Sequence, residues 1–167
     1  MKYAAGFILG LIILPLCGYL YLILGLAPVA TSAPPMPFER YFAKKALHAR
    51  ISREAPTTDP IQPTEGNLLV GANVYKHDCA ICHGLPGQPK SHIAEGMFPP
   101  PPQLFHGTGV TDDPAGVTYW KVKNGIRLTG MPGFGWTLSN EQMWQVSVLL
   151  ANANKVPPSV TQALQQP

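Results

Sequence analysis

The chain has 167 residues and a mass of 18.0 kDa, room for one ordinary domain with appendages, which excludes a multidomain enzyme. With 13% charged and 46% hydrophobic residues and a net charge of +3, it is too apolar for a disordered protein and too weakly basic for a nucleic-acid binder. Nineteen prolines and sixteen glycines point to a loop-rich fold with little extended sheet.

In chain order, residues 4–27 form an apolar run of 24, long enough to cross about 30 Å of hydrocarbon as a helix. No charge stands between Lys2 and Glu39. A cleaved signal peptide has a shorter apolar core of about 7 to 15 residues. Cleavage after Ala27 or Ala33 would also leave proline at the new terminus. Residues 1–27 are therefore read as an uncleaved transmembrane anchor. Pro15 removes one helical hydrogen bond within it, and Cys17, preceded by Leu16, is read as a buried apolar side chain. Gly6 and Gly10 form a small-residue pair suited to helix contact, a weak signal by itself.

Residues 28–64 read as a proline-rich linker containing a juxtamembrane helix over 38–53, ended by Pro56. Arg40, Lys44, Lys45, Arg50 and Arg53 outweigh Glu39 and Glu54 there, while Phe38, Tyr41 and Phe42 share one side of its first turns, as in an interfacial helix resting on headgroups. The same segment reads equally well as a solvated stem. Residues 65–157 form the globular domain. Leu68, Leu69, Ala72 and Tyr75 recur at helical spacing over residues 66–79. A middle helix is expected over 117–124 with Gly125 as its C-cap. A last helix is expected to open at Ser139 with Met143, Val146, Leu149 and Leu150 on one face. Residues 158–167 read as a flexible tail.

The chemistry lies in Cys79-Ala80-Ile81-Cys82-His83. Two thiols one helical turn apart can bond one planar partner while the next imidazole reaches its centre, the spacing of c-type haem attachment. Thioredoxin-like redox motifs need alternating strands and helices, and none are patterned here. A structural zinc site normally needs four ligands, and the remaining cysteine, Cys17, lies in the apolar run.

Gly71, Tyr75, the Cys79–His83 pentapeptide and Gly130-Met131-Pro132 together resemble the motifs of class I monohaem cytochromes c, over residues 65–154. The resemblance implies an all-α bundle around one covalent haem c, held through Cys79 and Cys82, with the first and last helices crossing near Gly71. The family often carries an aromatic near the position of Leu149. Trp144 stands a turn earlier and is expected to supply it. His83 is the expected axial iron ligand and Met131 the expected sixth ligand; a neutral thioether raises the potential relative to a second histidine. Met97, Met143, His77, His92 and His106 are the competitors. Met143 reads as core, and His77 lies too close to Cys79 on the same helix. A proline carbonyl is expected to hold the second nitrogen of His83. Pro86, Pro89 and the prolines at 99–102 all qualify, with a preference for Pro100 or Pro101. Arg127, Trp136 and Tyr119 are candidate donors to the haem propionates.

The positive-inside rule votes for a cytoplasmic stem. The resemblance overrules it, because covalent c-type maturation takes place outside the bacterial cytoplasm. The expected arrangement is therefore a single-pass protein of the bacterial inner membrane with its haem domain in the periplasm. The function implied is an electron carrier, not an enzyme, passing single electrons between membrane-bound redox complexes, with no small-molecule substrate and no nucleic acid. Two other readings are a fixed cytochrome subunit of a larger respiratory complex, and a peroxidase or gas sensor with a labile sixth ligand.

Overall fold

A computed structural model describes residues 2–105 and 113–165. Its described residues are helical and loop, with no strand among them. The chain divides into two compact units, residues 1–42 and 43–167.

The first unit holds α1 (Lys2–Ile23), with Pro15 inside it. Its stretch Gly6–Ile23 is long and apolar enough to span a membrane, and none of that stretch is buried in the protein. The helix stops four residues short of the end of the apolar run, for a local reason. Leu26 N–H donates to Tyr21 O (3.2 Å) and Gly25 N–H to Leu22 O (3.1 Å), while Gly25 takes φ +70°. This is a Schellman closure, which needs the left-handed residue that glycine supplies.

Helix α2 (Glu39–Glu54) forms where the stem helix was expected. Within the second unit its end is packed rather than loose. Ile51 is buried, and Glu54 Oε2 accepts from Trp120 Nε1 at 3.1 Å. Arg50 Nε holds the other oxygen of Glu54 at 2.7 Å. The Pro56 carbonyl presses on Gly116 so closely that a Cβ there would collide with it. Ile61 packs against the core as well. Packing thus begins before residue 65, where the domain was expected to start.

Helix α3 (Glu65–Val74) is capped by Thr64, whose side chain accepts from Asn67 N, and it runs into a π-helical turn, Tyr75–Cys79. A single turn, α4 (Ala80–His83), follows. Helix α5 (His92–Glu95) is one turn capped by Ser91. Helix α6 (Ala115–Asn124) ends at Gly125. Helix α7 (Asn140–Ala151) opens with a capping box, Gln142 N–H donating to Ser139 Oγ (3.1 Å) and Ser139 N–H to Gln142 Oε1 (2.9 Å).

Helix α7 is the centre of the domain, packed by α3 and by α6. Every residue from Met143 to Leu150 is buried, including Gln145 and Ser147, so the helix has no solvent face in that stretch. Their polar atoms are satisfied: Ser147 Oγ donates to Met143 O (2.6 Å) and Gln145 Nε2 to Asn67 Oδ1 (3.2 Å). At the α3/α7 crossing a Cβ on Gly71 would collide with the Gln145 carbonyl oxygen and lie 3.2 Å from Leu149 Cβ. The crossing expected at Gly71 is there. Trp144, however, stacks on Tyr119 of α6 (4.3 Å, 14°), so the aromatic of α7 serves the other helix pair.

The flexible tail expected over 158–167 requires a correction up to residue 165, residues 166–167 lying outside the described residues. Pro158–Gln165 form α8, which packs on α3 with Val160 and Leu164 buried. Pro158 suits the first helical position, and Val160 and Leu164, at i and i+4, share the face that meets the core. Ser159 Oγ donates to Glu65, tying the start of α8 to the start of α3.

Candidate haem site

The backbone around the cysteines is set by the π turn. Ala80 N–H reaches back to Tyr75 O, one residue further than in an α-helix, and Cys79 closes the turn. Cys79 is buried, Cys82 is half-buried, and neither is in a disulfide. Burial, with Asp78 and Cys82 nearby, pushes the Cys79 thiol up to about 12. Among the described residues no three His, Cys, Asp or Glu side chains converge to hold an ion.

His83 ends α4. Its Nδ1 donates to the Pro102 carbonyl at 2.8 Å, so the orienting proline is Pro102 and not Pro100 or Pro101. Burial lowers the imidazole below its usual range, and the Pro102 hydrogen bond opposes that shift without cancelling it. The ring is therefore neutral, with its proton on Nδ1 and its lone pair on Nε2.

The peptide after His83 is clamped from two directions. Tyr75 OH donates to Gly84 O at 2.6 Å, and Gly84 takes φ +74°. Burial first, then the neighbouring Cys79, drives the Tyr75 phenol well above its usual range, so the donor keeps its proton. Phe105 meets the Tyr75 ring edge-on at 4.9 Å. Gln103 Nε2 donates to Leu85 O (3.2 Å) while its Oε1 accepts from Phe105 N (3.1 Å). Gln103 was not singled out from sequence. Its only signal is its place directly after the proline run.

Met131 is half-buried in the loop after α6. Ile126 N–H donates to Met131 O (3.2 Å), and Met131 N–H donates to Thr129 Oγ1 (3.1 Å). The loop is fastened back onto the helix that precedes it: Phe134 N–H donates to Val122 O (2.8 Å) and Gly135 N–H to Lys123 O (3.2 Å). A Cβ on Gly125 would lie 2.6 Å from Gly133 N, so backbone meets backbone there. Met97, half-buried, lays its methyl against Gly130.

The other candidates are spread out. Arg127 and Trp136 are exposed, the latter almost completely. Tyr119 is a core residue whose hydroxyl donates to Asn140 Oδ1 (2.6 Å). Met143 is buried in α7. His77 is exposed on the π turn, and exposed His92 pairs with Glu95 at 3.4 Å. His106 lies outside the described residues. A cleft of about 460 Å³ at the junction of α2, α6 and α7 is lined by Glu54, Trp120, Lys123 and Asn140, and contains none of Cys79, Cys82, His83, Met131 or Arg127.

Residues 66–150 match the family described as cytochrome c oxidase, cbb3-type, subunit III. The chain is 27% identical over 151 residues to proteins named alcohol dehydrogenase (quinone), cytochrome c subunit, from Gluconacetobacter polyoxogenes and from Komagataeibacter europaeus. Each match covers 74% of this chain and 31% of the relative, so the chain spans about a third of the length of the curated relatives it matches. A chain of the reducing HAO-like protein complex of Kuenenia stuttgartiensis is similar at 26% identity with a TM-score of 0.49, over 61% of this chain and 50% of that one. With the pentapeptide running from the end of the π turn through α4, the α3/α7 crossing at Gly71 and a family match over most of the helical domain, the chain belongs to the cbb3-type cytochrome c oxidase subunit III family and carries a class I-type cytochrome c domain.

Proposed function

We propose that the protein is a membrane-tethered electron-transfer cytochrome carrying one haem c, with Cys79 and Cys82 as its thioether anchors and His83 and Met131 as its axial ligands. The observation that carries the reading is the His83 Nδ1 bond to the Pro102 carbonyl, which leaves a neutral imidazole offering Nε2. When bound, the iron of such a group takes up and releases single electrons. The chain's own residues supply the rest. The Pro102 bond fixes the tautomer and raises the basicity of the ligand. Tyr75 and Gln103 keep the peptide after His83 from shifting. The loop bonds from Val122 and Lys123 hold the methionine segment in place. With His83 and Met131 both holding the iron, no position would be left open to a substrate, which favours a carrier over a peroxidase or gas sensor. Arg127, exposed on the methionine loop, is proposed to meet a propionate.

Helix α1 supports single-pass anchoring in the bacterial inner membrane, with the domain on the periplasmic side and lateral electron passage between membrane-bound redox complexes. The names of the relatives support a second reading, a fixed cytochrome subunit of a dehydrogenase complex.

The test is the visible spectrum of the oxidised protein purified in mild detergent. Methionine on ferric haem gives a weak far-red band. The band is expected in the native chain and absent in Met131→Ala, while Cys79→Ser and Cys82→Ser each lose one covalent link by mass. A band that survives Met131→Ala removes Met131 from the site. Purification as a single chain supports the shuttle, and stoichiometric co-purification with a dehydrogenase supports the fixed subunit.

A further inference from the structure

Helix α2 has two unlike faces. Leu47, Ile51 and Glu54, at i, i+4 and i+7, lie on one side, where Ile51 is buried and Glu54 is held by Trp120. On the opposite side at 3.6 residues per turn stand Tyr41, Phe42, Lys45 and Arg53. Tyr41 and Phe42 are 57% and 65% exposed, and Phe38, just before the helix, is 71% exposed. The three rings touch one another, Phe42 lying 6.3 Å from Phe38 and 5.4 Å from Tyr41, and together they make one contiguous apolar patch. A clustered aromatic patch in water is unfavourable and marks a contact surface. Arg40, Lys44, Lys45, Arg50 and Arg53 against Glu39 and Glu54 give this helix a net charge of +3.

We propose that the face of α2 bearing Tyr41, Phe42 and Lys45 lies on the anionic headgroups of a phospholipid bilayer. The inference rests on the reading of α1 as a membrane span. Fifteen residues join Ile23 to Glu39, a chain that reaches at most about 55 Å even when extended, so α2 stays within reach of the surface that α1 leaves. Aromatic rings favour the headgroup level, and clustered lysine and arginine beside a span are attracted to anionic lipid. The positive charge against anionic headgroups selects lipid over a protein surface as the occupant. Ile51 and Glu54 on the other face of α2 meet the domain.

The experiment is hydrogen exchange on the full chain in nanodiscs of phosphatidylcholine alone and of phosphatidylcholine mixed with phosphatidylglycerol. Exchange across residues 39–47 is expected to slow by about tenfold or more in the anionic discs. The effect should vanish at about 0.5 M salt. It should also vanish in Tyr41→Ser/Phe42→Ser and in Lys44→Gln/Lys45→Gln, with the protection of α7 showing that both variants are folded. Equal exchange in the two lipids overturns the proposal and leaves solvent or a protein partner on that face. Slow exchange that ignores lipid charge and salt overturns it too. The same data read α1. Protected α1 with lipid-insensitive α2 refutes only the surface contact, whereas unprotected α1 with anionic protection of α2 upholds the contact and refutes the span.

Discussion

A methyl group added at Gly71 meets the Gln145 carbonyl oxygen, and one added at Gly130 meets the methyl end of Met97. The two collisions look alike and differ in what can yield. Gln145 is backbone in the middle of α7, whereas Met97 is a flexible side chain with three rotatable bonds. Gly71→Ala is therefore expected to destabilise the protein by about 2 to 3 kcal/mol, as overpacking between two helix backbones does. Gly130→Ala is expected to cost under about 1 kcal/mol and to keep the far-red methionine band. Urea unfolding of both variants checks the contrast, and equal losses would refute it. Tyr75 gives a prediction with a pH sign. Its folded phenol lies above the ordinary value of 10.0, so above that pH the unfolded chain releases a proton that the folded chain keeps. The contribution of Tyr75 is full below pH 10 and is lost as pH rises beyond it. Tyr75→Phe is expected to unpair the Gly84 carbonyl, costing about 1 to 2 kcal/mol at pH 7, and to flatten the alkaline fall relative to the native chain. A parallel alkaline fall in both proteins would remove Tyr75 as its source.

At the level of elements, the helices legible from sequence were those with strong local punctuation. Ser139 with Gln142 marked the start of α7, and Gly125 marked the end of α6. Gly71 signalled the crossing because close approach needs an absent side chain. The π turn at Tyr75–Cys79 was not legible, since no residue type marks where the one extra backbone residue enters the helix. Nor was the full burial of α7 legible, because Gln145 and Ser147 look like a wet face until their partners on Asn67 and Met143 are seen. The pentapeptide showed its haem-attachment spacing directly in the sequence. The choice of Pro102 among the neighbouring prolines did not show, because it depends on the path of the loop and not on residue type. Helix α8 was missed because it is short and its polar residues hide two core contacts. Leu164→Ala is expected to cost about 2 to 4 kcal/mol, the range for a buried leucine, whereas a loose tail would make it neutral. Thermal unfolding at matched haem content decides between them.

For the chain as a whole, the question is where the proline-rich linker ends and the packed domain begins. The sequence suggested a proline-rich linker with a juxtamembrane helix up to residue 64, yet the protein packs Ile51, Glu54 and Pro56 before that point. Only residues 57–60 and 62–64 are exposed between that packing and α3. Gly116 tests this with opposing signs. Helix propensity alone makes Gly116→Ala favourable by up to about 1 kcal/mol, since alanine is the better residue inside α6. Contact with the Pro56 carbonyl makes it unfavourable, because the added methyl has only backbone to push against. The expected result is that Gly116→Ala releases the end of α2, so that limited proteolysis cuts within residues 55–63 several-fold faster than in the native chain. The methionine band is expected to stay unchanged, since the Met131 loop is fastened to the other end of α6 through Val122 and Lys123. Slower cutting and higher stability in Gly116→Ala would mean that the chain is free up to residue 64. Faster cutting with an intact band would mean that the contact of Pro56 with Gly116 holds the chain to α6 well before α3 begins.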